Sequence, residues 1–459
     1  MNKTALLLSA WAVSATASPQ DSRGPQDPPV LTGTPERSRG TGGGCTFQGP
    51  FLHIPSKTGG AEGLLVRVSP PAKPRYESGA PVAVHVISAL PNVTGSIACL
   101  SEQGFVDVGF LCPGVQYRAP DGIVMKSGGS GFPPGPSGCV EAIADVLAFT
   151  TGQTRSVDGK SIQDVAGVKI ADNTGVIGWS LGGNLSVHAM ARFGDRLPGL
   201  KWYASWESPM LGTNEDLGNM IQPNPFYDAK TGRIDFSRLR YSAEMPIWVF
   251  PTIPLGPGRP RGGLYLDGDG NGKFNRDADF AFFANIGGPA KFFYSPTVTH
   301  EAADRKVFGA DWPKHIATLA EADARFAQED PLVAIPNVVK RFPSLSVLVF
   351  ESRQNHVIDA TDHPQAIAQV NAWIDAKAHW VRFNPDATYV QAIMGRKPSR
   401  VVQYPAGAKL DRNKISNLLE PEMAEGGPSD KQGMTAAVCE LADRTERNNW
   451  SPKLKHTLR

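Results

Sequence analysis

The run Gly178-Trp179-Ser180-Leu181-Gly182-Gly183 constrains this chain more than any other stretch. Before it, residues 174–179 form a short apolar run that reads as a buried strand. After it, residues from 181 to about 193 carry helical spacing and end at Gly194. A serine at a strand-to-helix junction, with glycine two residues to either side, fits a turn so sharp that neighbouring backbones touch. Such a turn lifts the serine Oγ above the end of a sheet. It also aims the free N–H groups and dipole of the following helix at any anion that forms there. A phosphate-binding loop would need a lysine after the glycines, and none is present. The remaining alternative is a purely structural glycine-rich turn.

Around this turn the chain alternates strand-like and helix-like segments. Residues 63–69, 81–90 and 105–112 read as strands, and a helical pattern follows Cys139. Residues 200–206, 345–351 and 379–383 read as further strands, with a helix at about 363–377. That rhythm predicts an α/β fold with a mostly parallel sheet flanked by helices. Residues 210–340 break the rhythm with a hairpin (246–253 with 263–267), an acidic loop and a helix near 311–328. They are expected to form an inserted lid or cap. The core is then expected in two parts, 45–209 and 341–405, followed by an irregular tail over 406–459.

The N-terminus has the pattern of an export signal: Lys3, an apolar stretch from Thr4 to Val13, and Ala15-Thr16-Ala17. Residues 1–17 are therefore expected to be a signal peptide and 18–44 a disordered leader rich in Gly, Pro, Ser and Arg. The expected location is secreted or periplasmic. Past this segment no apolar run approaches a membrane span. A net charge of +2 gives no reason to expect nucleic acid as a partner. Five cysteines, with no C-x-x-C pair, give no zinc site and leave at least one thiol without a partner in the chain.

The elbow resembles that of the α/β-hydrolase superfamily, in the form seen in dienelactone hydrolases, acyl esterases and prolyl-oligopeptidase-like peptidases. The resemblance covers roughly residues 60–210 and 340–390. It implies Ser180 as nucleophile, followed along the chain by an acid and a histidine. It implies one oxyanion donor at the Leu181 amide and a second after strand 81–88, at Ala89 or Leu90, although the familiar His-Gly-Gly sequence is absent. In the family the histidine usually follows the last strand, but here none follows 379–383 until His456. His356, just past strand 345–351, is the expected base. His188, His300, His315, His363 and His379 fit less well. The acid is expected at Glu207, directly after the strand that follows the elbow helix, because Asn355 is neutral. Asp359 and Asp362 remain alternatives.

Residues 267–277 resemble an EF-hand or dockerin loop. Asp267, Asp269 and Asn271 take the first three ligand positions, Gly272 the tight turn and Asn275 the ninth position. The twelfth position is Ala278, flanked by Asp277 and Asp279. The expected ligands are Asp267, Asp269, Asn271, Asn275 and Asp277, around a structural calcium. No cofactor is expected for catalysis. The expected function is a secreted serine hydrolase acting on a small-molecule or polymer ester through an acyl-enzyme. The alternatives are a peptidase-like amide hydrolase and a catalytically inactive calcium-binding interaction protein on the same fold.

Overall fold

The computed structural model describes residues 30–32, 49–87, 100–118, 122–129, 137–208, 225–228, 233–249, 260–286, 292–307, 314–351, 364–395, 406–410 and 428–451. Its centre is an eight-stranded sheet. In chain order the strands are β1 (Phe51–Ser56), β2 (Gly60–Ser69), β3 (Ala80–Ile87), β4 (Val106–Phe110), β5 (Ile170–Trp179), β6 (Leu200–Trp206), β7 (Ser346–Phe350) and β8 (Trp380–Phe383). In space they run 1-2-4-3-5-6-7-8. Strand β2 pairs antiparallel with both β1 and β4, and every other pairing is parallel. This is the mostly parallel α/β sheet that the alternation of strands and helices predicts.

Strands buried on both faces carry near-continuous apolar runs, and β4 and β7 are buried at every position. Alternation assigns the two faces. Val82, Val84 and Val86 of β3 and Val347 and Val349 of β7 enter one core, with α1 (Ser137–Thr150), α2 (Leu181–Phe193), α3 (Pro331–Arg341) and α4 (Pro364–Asp375). Ala83, Leu348 and Phe350 enter the opposite core, with α5 (Ala387–Met394) and α6 (Pro428–Arg447). A disulfide from Cys112 to Cys139, with Cα atoms 5.7 Å apart, ties the segment after β4 to α1.

The structure departs from the sequence expectations in four places. The tail is not irregular throughout: α6 is a 20-residue helix that closes one face of the sheet. Three of its charged residues, Glu440, Asp443 and Arg444, are buried and paired. Asp443 accepts from Arg75 at 2.8 and 3.2 Å and from the Tyr76 and Tyr389 hydroxyls at 2.6 and 2.9 Å. Glu440 accepts from Arg382 at 2.8 Å, Arg444 at 2.9 Å and the Asp386 amide at 2.6 Å. Within the expected leader, Val30–Thr32 forms a strand paired in parallel with Gln116–Arg118. In the insertion, Arg261–Leu266 pairs with Leu239–Pro246 rather than with 246–253, and Trp248–Val249 pairs with Phe283–Ile286; residues 250–253 of the expected first arm lie outside the described residues. The insertion's described residues have a core of their own around Phe236, Leu264, Phe282 and Tyr294. Its last helix, α3, instead packs into the main core through Ile335 and Val338.

Candidate active site

Ser180 sits between β5 and α2 with φ 55° and ψ −135°, a backbone conformation that costs about 1–3 kcal/mol outside glycine. The surrounding glycines explain how it is held. A Cβ at Gly178 would lie 2.4 Å from the Gly183 Cα, one at Gly182 would lie 1.9 Å from the Val86 carbonyl oxygen, and one at Gly183 would lie 2.0 Å from the Ser208 Oγ. Each glycine thus admits a neighbour that no side chain would allow. The Ser180 carbonyl accepts from the Gly183 amide at 3.0 Å, closing the turn into the helix. Leu181 is the first residue of α2, so its amide is among the helix's unpaired N-terminal donors. The contact of Gly182 with Val86 sets the end of β3 against the turn, and Ile87 pairs in register with Trp179. Ala89 and Leu90 lie outside the described residues.

The carboxyl edge of the sheet continues from Ser180 to its neighbours. The Ser180 amide donates to the Trp206 carbonyl at 3.0 Å, and the Glu207 amide donates to the Phe350 carbonyl at 3.0 Å. Glu207 is therefore the residue beside Ser180 at the end of the next strand. It is only 2% exposed and has φ 47°. The strand after that, β7, is followed directly by a second glutamate, Glu351, which is 1% exposed and whose amide donates to Asn384 Oδ1 at 3.0 Å. Asn384 follows β8 with φ 58°. The edge is stiffened from below by aromatic rings, Trp179 on Trp206 at 5.7 Å between centroids and Trp206 on Phe350 at 6.5 Å. Glu351 was not among the sequence candidates. Its signal was its place directly after the apolar run 347–350, next in line to Glu207.

The expected base, His356, lies outside the described residues, as do Asn355, Asp359, Asp362 and His363. The described histidines have other places. His188 is buried in α2, and His85 is buried in β3 against Asp107. His53 meets the Lys126 carbonyl at 3.1 Å, and His300 meets Asp323 at 3.0 Å on an exposed face. His315 stands in the insertion, and its carbonyl accepts from Phe292 at 2.8 Å. His379 precedes β8 at the amino end and packs on Trp450 at 5.1 Å.

The acidic loop gathers three carboxylates, those of Asp267, Asp269 and Asp279, with their oxygens within 4.8 Å of one another. Asp267 accepts from the Gly270 and Gly272 amides at 2.8 and 3.0 Å. Asp279 reaches back across the loop to the Gly268 and Asn275 amides at 2.8 and 2.7 Å, which is why it joins the group and Asp277 does not. Asn271 and Asn275 accept from the Lys273 and Asp277 amides at 2.7 and 3.1 Å. Hard carboxylate oxygens in this number fit calcium chemistry.

No protein-family model matches the sequence, and no curated protein matches it. Among solved structures, a fungal esterase from Rhizomucor miehei is 13% identical, with 91% of this chain and 87% of that chain covered and a TM-score of 0.40. Carboxyl esterase 2 from Tuber melanosporum is 13% identical, covering 83% and 87%, with a TM-score of 0.36. A puromycin hydrolase is 11% identical with a TM-score of 0.34; 74% of this chain is covered but only 34% of that one, so the chain spans about a third of its length. These likenesses are distant in sequence and in superposition; the strand order and the elbow define the fold. Among the described residues, no helix is long and apolar enough to cross a membrane.

Proposed function

With the α/β-hydrolase fold as premise, we propose that this chain is a serine hydrolase that cleaves a carboxylic ester through an acyl-enzyme on Ser180. The observation that carries the reading is the elbow itself. Ser180 is held at φ 55° between glycines that leave no room for a Cβ, at the head of a helix and beside buried Glu207. A serine hydroxyl needs a base to become a nucleophile at neutral pH. In this reading His356 takes the Ser180 proton as the oxygen attacks the ester carbonyl. The Leu181 amide, at the start of α2, stabilises the oxyanion, and His356 returns the proton to the leaving alcohol. Water, activated by the same histidine, then releases the acid and restores Ser180. Glu207 carries the charge opposite the imidazolium.

The chain is further proposed to be exported through residues 1–17. Asp267, Asp269 and Asp279 would hold a structural calcium that stiffens the insertion and takes no part in the chemistry. The test of function is turnover of a p-nitrophenyl ester by Ser180→Ala. The variant should fold normally and lose ester hydrolysis, because one hydroxyl is removed from a turn whose glycines remain. Turnover like that of the unaltered protein would overturn the reading.

A further inference from the structure

Two hydroxyls from the strand that presents Glu207 grip the nucleophile's turn from both sides. Ser208 Oγ donates to the Gly178 carbonyl at 2.9 Å, with the Trp206 carbonyl also within reach at 3.2 Å, and the Tyr203 hydroxyl donates to the Gly183 carbonyl at 3.2 Å. Those two carbonyls bracket Ser180, one two residues before it and one three residues after. Ser208 follows Glu207 directly, and Tyr203 stands four residues before it in β6. Both side chains are buried. The acid's strand is thus fastened by its own side chains to the turn that carries the serine.

Neither hydroxyl is there to satisfy a stranded carbonyl. Gly178 lies within the parallel β5–β6 pairing, in register with Ser205, and the Gly183 carbonyl lies inside α2, where the Val187 amide is its regular partner. Phenylalanine and alanine would fill the same space with no polar atom to desolvate. Burial raises the pKa of the Tyr203 phenol; hydrogen bonds with Ser205 and Ser208 oppose this and the charge of Glu351 adds to it, and the net shift is upward, so the phenol remains a protonated donor. Gly183 points the same way. The turn itself uses Gly178 and Gly182, whereas a Cβ at Gly183 would meet the Ser208 Oγ at 2.0 Å and the Tyr203 hydroxyl at 3.0 Å. The second glycine of the pair is what lets both hydroxyls reach the turn.

We infer that Tyr203 and Ser208 are positioning residues that lock the spacing between Ser180 and Glu207. This rests on the serine-hydrolase reading above. Losing either bond lets the turn shift against the acid's strand, and a misplacement of about 1 Å can slow a chemical step that depends on aim by about a hundredfold.

The experiment compares Tyr203→Phe and Ser208→Ala with the unaltered protein and with Tyr294→Phe. Tyr294 is also buried and also bonded to backbone, accepting from the Leu264 amide at 3.1 Å, but it lies in the insertion's core. Three quantities are measured: the rate at which a fluorophosphonate labels Ser180, kcat and KM for a p-nitrophenyl ester, and the melting temperature. Tyr203→Phe and Ser208→Ala should each label about tenfold more slowly, with kcat falling and KM changing by less than about twofold. Tyr294→Phe should lower the melting temperature and label at the unaltered rate. Should Tyr203→Phe fail to fold, Ser208→Ala carries the test alone. Unaltered labelling rates in the folded variants, or an equal slowing in Tyr294→Phe, would overturn the inference. If the unaltered protein is not labelled at Ser180, the reading beneath it falls and the inference with it.

Discussion

Glu207 meets Ser180 across the ends of neighbouring strands: the Ser180 amide bonds the carbonyl of Trp206, the residue before Glu207, at 3.0 Å. Both residues have positive φ, and both are almost completely buried. This pairing places an acid beside the nucleophile. Glu207→Gln should lower kcat by roughly three to four orders of magnitude, as removal of a triad acid can. Glu351→Gln, Asp359→Asn and Asp362→Asn should each cost far less. Steady-state kinetics on the four variants decides the matter, and a crippled Glu351, Asp359 or Asp362 variant would move the acid to the next strand or its loop.

The elbow glycines differ from those that face open space. Gly182→Ala would drive a Cβ to 1.9 Å from the Val86 carbonyl, whereas Gly159, at φ 82°, has nothing within 4 Å of its Cβ position. Urea unfolding should show Gly182→Ala destabilised by about 3 kcal/mol or more, as forced overpacking costs. Gly159→Ala should lose about 1–2 kcal/mol, from backbone strain alone. Equal losses would show that the turn can relax.

Chelation should separate stability from chemistry. If Asp267, Asp269 and Asp279 hold calcium, EDTA should lower the melting temperature and leave the mechanism unchanged. A ligand at a hundredfold excess over Kd adds about 2.7 kcal/mol to the folded state. Asp279→Asn should abolish the calcium effect while Asp277→Asn should keep most of it. Calorimetry with and without millimolar calcium reads both, and identical curves for the unaltered protein would reject the site.

Helix α6 is fastened through charges that cannot be left alone. Asp443→Ala would strand the Arg75 guanidinium, which is 3% exposed, and should cost about 3–5 kcal/mol in denaturant unfolding. Cys439, on the same helix, is fully buried, and burial pushes its thiol up to about 12. It should resist alkylation in the native protein and react once the chain unfolds, as peptide mapping would show. Alkylation of Cys439 in the native state at a free-thiol rate would mean that α6 leaves the sheet readily.

The elbow and the strands around it were legible in the sequence because their determinants are local. A glycine that admits a carbonyl and an apolar run that fills both faces of a strand each leave a mark within a few residues. Helix α6 left a contrary mark. Glu440, Asp443 and Arg444 read as surface residues, and their neutralising partners Arg75 and Arg382 lie up to 368 positions away. Asp279 escaped because the expected calcium pattern ends one residue earlier. The wrong hairpin has a similar cause: Leu239–Pro246 carries few buried positions, so its pattern gives little sign of the strand that pairs with Arg261–Leu266.

The central claim is an acyl-enzyme on Ser180. Mixing the protein with p-nitrophenyl acetate, quenching in acid within milliseconds and mapping peptides by mass spectrometry tests it directly. The account predicts one acetyl group on the peptide carrying Ser180, absent from Ser180→Ala. Ester hydrolysis with no acetylated Ser180, or with the acetyl group on another residue, would contradict it.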